Sequence, residues 1–86
     1  MIITTTQYIE GRHILEYKGI VCGAIRVDGA VFKVDIEYYR KTYGYALNQL
    51  ENQAVSMGAN AVIGIQSEFP DLGGAITVTG TAVFIE

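Results

Sequence analysis

The chain has 86 residues, of which 50% are hydrophobic and only 17% charged, with a net charge of −3 at pH 7. That length supports one domain, residues 1–86, with a core that stays marginal unless association adds to it. Its six Lys and Arg residues are scattered, so they form no basic stripe to neutralise nucleic-acid phosphates. The single Cys22 excludes an intramolecular disulfide and suits a reducing compartment. With no signal-peptide pattern after Met1 and no apolar run near the ~20 residues of a membrane helix, a soluble cytoplasmic protein is expected.

In chain order, the β-branched run 2–6 suits a short strand. Glu10-Gly11-Arg12 reads as a turn, and His13 to Val27 as an extended segment with Gly19 and Gly23 marking a bulge or bend. Asp28-Gly29 signals a two-residue hairpin with a partner strand at Ala30–Val34. Asp35 is placed to cap a helix, because its carboxylate can accept from the free amides of the first turn. Ile36, Tyr39, Tyr43, Leu47, Leu50, Ala54 and Met57 then follow at steps of three and four, an apolar helical stripe. Gly44 interrupts it at roughly 1 kcal/mol relative to Ala. Gly58 closes it.

Ala59–Gln66 is an uncharged strand, and Phe69-Pro70-Asp71 with Gly73-Gly74 a loop. Residues 73–85 carry no charge, and Ala75–Ile85 reads as the last strand. One of its faces holds Ile76, Val78, Gly80, Ala82 and Phe84, and the other Thr77, Thr79, Thr81, Val83 and Ile85. Neither reads as solvated, whereas a strand with one wet face should alternate apolar with strongly polar residues. The expected fold is therefore α+β: a small antiparallel sheet in hairpin-α-β-β order with one main helix on one face. Gly80 and Ala82 allow close helix approach, and a second copy of the chain covers the other face. Thr79 and Val83 are the outward positions where a charge should block assembly.

Two stretches resemble a known family. Residues 4–23, with Thr4-Thr5-Thr6, Ile9-Glu10-Gly11, Glu16-Tyr17 and Gly19-Ile-Val-Cys-Gly23, are similar to the opening of the YbjQ-like family. Gly58-Ala-Asn-Ala-Val-Ile-Gly64 and Gly80-Thr-Ala-Val83 are similar to its later motifs. The resemblance implies a dodecin-like β/α subunit closing into a homo-oligomeric ring, a pentamer. It also implies a heavy-metal-binding label without a known function. Family members carry a longer charged insert where this chain has the short Arg26–Tyr39, so a function residing in that insert does not carry over.

The residues themselves give that label little to work with. Closed sites for soft metals use about four thiolate or imidazole ligands. Here Cys22 and His13 are the only such pair, nine positions apart and so on opposite faces of a regular strand. They are the metal-ligand candidates, realigned by a bulge at Gly19 or gathered from several subunits. The competing readings are a buried Cys22 and a His13 at a sheet edge. One His and no Ser–His or Cys–His spacing argue against an enzyme. Asp28, Asp35 and Glu37 read as turn residue, helix cap and first-turn acid. Tyr38 and Tyr45, seven apart, share a helix face away from the core stripe. They suit subunit packing or, as the alternative, a planar small-molecule ligand; no cofactor is specified.

Overall fold

The computed structural model describes residues 1–27, 36–69 and 74–86. The expected hairpin at Asp28-Gly29, the strand Ala30–Val34, the Asp35 cap and the residues 70–73 lie outside them. Four strands and one helix follow in the order β1 (Ile2–Ile3), β2 (Ile14–Arg26), α1 (Ile36–Ser56), β3 (Ala61–Glu68) and β4 (Ala75–Ile85). They form one sheet ordered β1-β3-β4-β2. The α+β class with a helix on the sheet is as the pattern implies. The sheet is mixed rather than antiparallel, because β1 runs parallel to β3.

The chain reaches β2 through a turn at Glu10-Gly11, where the Arg12 N–H donates to the Ile9 carbonyl at 3.1 Å. β2 is a single 13-residue strand paired with β4, with register shifts between Ile14 and Glu16 and between Tyr17 and Gly19. The extended reading of 13–27 therefore holds, and the irregularity falls at Gly19 rather than Gly23. β1 is shorter than the run 2–6 suggests, yet the chain keeps bonding to β3 beyond it. Thr4 N–H donates to Val62, and Gly64 and Ile65 donate to Thr6 and Thr4. Gly64, at φ +63°, starts a bulge in β3, so that two residues stand between the pairs Ile63–Thr81 and Gln66–Thr79. The bulge turns Ile65 to the same side as Val62, into the core beneath the helix. Gly80 lies opposite it. A Cβ there would sit 2.6 Å from Val62 Cγ1 and 3.2 Å from Ile65 Cγ1, so Gly80 makes room for the bulged strand and not for the helix.

The close helix approach is at Gly23, where a Cβ would stand 2.1 Å from the Ala46 carbonyl oxygen. The buried line of α1 is Thr42, Ala46, Leu50 and Ala54, with Tyr39, Tyr43, Leu47 and Met57 half-buried beside it. Small residues take the line nearest the sheet because the backbones nearly touch there, and the larger side chains of the expected stripe straddle it. Ile36 belongs to that stripe by spacing but is exposed at the first turn. The helix passes through Gly44 to the predicted stop at Gly58 (φ +82°). There Ala59 N–H donates to Ala54 and Gly58 N–H to Val55, the paired bonds that close a helix on a left-handed glycine.

Leu50, Ile76, Val21, Val27, Val62 and Val78 fill the layer between helix and sheet. A smaller cluster on the opposite face joins Ala61, Ile63, Val83 and Ile85 to Ile9 and Ile14. Val83 is thus fully buried within one chain, which corrects its reading as an outward position. Asn60 fastens this end: its Nδ2 donates to the Ile85 carbonyl at 2.8 Å, and the Ile85 N–H donates to its Oδ1 at 2.7 Å. A side-chain amide here substitutes for one more residue of strand.

Two variants probe this frame. Gly23→Ala must push α1 off β2 and should cost about 2–3 kcal/mol or more, read as a lower urea midpoint. Asn60→Ala leaves both Ile85 backbone groups unpaired and should cost about 1–3 kcal/mol by the same assay, without changing the helical circular-dichroism signal.

Candidate functional site

A helix covers one face of this sheet, and residues 9 to 14 cover one end of the other. The remainder of that second face is built by alternation on three strands. Pairing sets Ile20 opposite Thr81, Cys22 opposite Thr79 and Ala24 opposite Thr77, while Gln66 and Glu68 of β3 flank Thr79 and Thr77 from the other side. Ile20 is 80% exposed, and Cys22, Ala24 and Thr79 are also exposed. Its charged residues stand at one end, Glu68 on β3 and Arg26 on β2. Gln66, Ser67, Glu68, Thr77 and Thr79 line a shallow recess of about 260 Å³ at its β3 side.

Side chains and the N-terminal segment bond to the strands beside this face. The N–H groups of Cys22 and Ala24 point away from β4 and donate to Gln53 Oε1 at 2.8 Å and Gln49 Oε1 at 3.0 Å. Two glutamines one helical turn apart thus take the place of a neighbouring strand along the middle of β2. At the other edge Ile2 to Thr6 take that place along β3. Spacing alone could not reveal the glutamines' role, since Gln at exposed helical positions is common.

The candidate ligands separate. Cys22 is exposed, which corrects the expectation of a buried small hydrophobe. His13 is exposed at the foot of β2, as expected of a residue following the turn, and its carbonyl accepts from the Glu86 N–H at 3.1 Å. Cys22 stands opposite Thr79, and seven residues of β4 from Thr79 to Glu86 span about 23 Å. The bulges of β2 do not bring the two side chains to one ion within a chain. Among the described residues, no group of three or more His, Cys, Asp or Glu side chains is arranged to hold a metal. A single copy therefore does not fit a closed soft-metal site.

The tyrosines also diverge. Tyr38 packs along the core margin with its ring edge-on to Tyr39 at 5.9 Å, whereas Tyr45 is 50% exposed two turns further along. Tyr43, taken above for the core, has a polar tie as well: its hydroxyl lies 2.7 Å from Ser67 Oγ, and its ring 5.4 Å from that of Phe69. Glu37 is exposed in the first turn of α1. No helix among the described residues is long and apolar enough to cross a membrane.

Comparison with known proteins places this architecture. A YbjQ family model described as "Putative heavy-metal-binding" matches residues 29–86. A UPF0145 protein of Clostridium botulinum (strain Alaska E43 / Type E3) is 38% identical over 107 aligned positions, covering 100% of both chains. One from Clostridium kluyveri is 41% identical over 106 positions with the same full coverage, and one from Acetivibrio thermocellus 36% over 107. Against 86 residues here, 107 aligned positions leave 21 without a counterpart in this chain. The crystal structure of a protein with unknown function of the DUF74 family, from Pediococcus pentosaceus ATCC 25745, matches 100% of this chain and 98% of its own. Its TM-score is 0.66 at 21% identity, a likeness of fold. On the full-length identity to the UPF0145 proteins and the family-model match, this chain belongs to the YbjQ-like family.

Proposed function

We propose that the chain is a self-associating binding module of the cytoplasm, without catalysis of its own, whose open sheet face is covered by another copy. The observation that carries this reading is Ile20, 80% exposed within an uncharged face of Cys22, Ala24, Thr77, Thr79 and Thr81. Burying such a side chain is worth about 1.5–3 kcal/mol. The proportions of the chain support the same reading. Its radius of gyration is 14.1 Å, where a compact domain of this length has about 12 Å. Its accessible surface is 5625 Å², against about 5,000 Å² for a monomer of its mass. The excess arises because β2 extends about 43 Å while α1 reaches about 32 Å. A closed ring, and five as its subunit number, follow from the family resemblance.

A second reading assigns the family's heavy-metal description to the junction between copies. It is favoured by the exposure of Cys22 on the same face, where association could gather thiolates that one chain does not hold together. A planar ligand beside Tyr45 is the other form of this reading.

Native mass spectrometry tests both. The wild-type chain should appear at an integral multiple of its 9.4 kDa mass, and Thr79→Glu, which puts a carboxylate in the middle of the face, should appear at the single-chain mass while remaining folded. A native-sized assembly of Thr79→Glu would overturn the face assignment. Cadmium added to the wild type should bind at a fixed ratio per chain that falls at least tenfold in Cys22→Ser if the junction holds metal. An unchanged ratio removes that reading. Cys22 should also react with a thiol reagent rapidly in dilute protein and slowly where the assembly forms.

A further inference from the structure

β2 is the last strand on its side of the described sheet, and its middle, Gly19 to Ile25, carries neither charge nor proline. A bare strand edge of that composition is a template for another chain. We infer that Gln49 and Gln53 act as a strand mimic on this edge, and that what they keep off is the same segment of β2 in a second chain. Edge pairing of this kind is separate from the face contact proposed above, and it builds open-ended fibres rather than a counted assembly.

In an antiparallel edge strand the N–H and C=O of alternate residues point outward together. On β2 these residues include Cys22 and Ala24, whose N–H groups donate to Gln53 Oε1 at 2.8 Å and Gln49 Oε1 at 3.0 Å. Two residues of strand rise about 6.8 Å, and four residues of helix about 6.0 Å. Carboxamides four apart on a helix that runs opposite to the strand therefore meet successive outward amides. Each presents an amide oxygen, the group a neighbouring strand would bring. The next positions at this spacing, Tyr45 and Met57, carry no carboxamide, so the mimic is confined to the middle of the strand.

The reach depends on Gly23. A Cβ there would stand 2.1 Å from the Ala46 carbonyl oxygen and 3.2 Å from Gln49 Cβ, so the helix sits close enough for a glutamine to pass round the edge. Both glutamines are exposed, and the buried line of α1 does not include them. Helix propensity does not explain them either, since Ala is the better helix former. With both removed, a second β2 running antiparallel about Gly23 sets Cys22 of each chain opposite Ala24 of the other. These are the outward residues, so each pair exchanges two backbone bonds. Val21 then stands opposite Ile25, a β-branched pair.

Gln49→Ala/Gln53→Ala should keep the helical circular-dichroism signal and form thioflavin-T-positive fibres. At urea concentrations giving equal fractions unfolded, its lag should be at least tenfold shorter than that of the wild type. Asn60→Ala weakens the sheet away from this edge and should keep the wild-type lag at the same fraction unfolded. Adding Ala24→Pro to the double variant removes one outward donor from an edge strand, where proline is tolerated, and should restore the wild-type lag. The Cys22 and Ala24 amides should exchange hydrogen at least tenfold faster in the soluble double variant than in the wild type, and be protected again in the fibres. A double variant that stays soluble as long as Asn60→Ala overturns the inference, as does a triple variant that aggregates as fast as the double. If the double variant does not fold, Gln53→Ala, which frees the Cys22 N–H alone, is read in the same way: a shortened lag supports the strand mimic and an unchanged one overturns it.

Discussion

One α-helix is 10–12 Å across and can cover about two strands spaced 4.7–4.9 Å apart. This chain has one described helix and a four-stranded sheet. The helix lies on β2 and β4, the N-terminal segment covers Val83 and Ile85 at one end of the opposite face, and the described residues have little else to spend on the remainder. Every notable feature of the surface follows from that shortage. The uncovered part of the sheet is where Ile20 and Cys22 stand exposed, with Arg26 and Glu68 at one end of it.

The shortage also explains how tightly the covered side is arranged. Gly23 lets α1 come close enough to present a carbonyl where a Cβ would otherwise be, and Ala46 and Ala54 keep the contact line thin. At that distance Gln49 and Gln53 reach around the edge of β2 and satisfy the amides of Cys22 and Ala24. The same docking that builds the core therefore satisfies two amides on the edge of β2. The bulge at Gly64 works similarly on the other side, turning Ile65 inward while the outward amides of Gly64 and Ile65 bond to the N-terminal segment.

The heavy-metal description attached to the family sits uneasily on one copy of this chain. Cys22 belongs to the open face and His13 to the far end of β2, and β-strand rise holds them about 23 Å apart. Any chemistry of the thiol belongs to whatever covers that face. The exposed thiol and the exposed Ile20 occupy the same surface.

Much of the fold was legible in the residues. The period of α1, its stop at Gly58, the extent of β4 and the turn at Gly11 are local properties, set by side-chain spacing and backbone permissiveness, and they stand where the pattern puts them. The family was legible too, through motifs with local geometric roles: Asn60 clasping Ile85 and Gly64 opening a bulge. What only the tertiary structure decided depends on which surfaces meet. The parallel pairing of β1 with β3, the shift of the helix contact line to Thr42 and Ala46, the burial of Val83 beneath Ile9 and Ile14, and the exposure of Cys22 all follow from how a limited length of chain distributes cover over a sheet. Periodicity records that a residue faces one side or the other. Which side has enough atoms left to cover it is a property of the packed molecule.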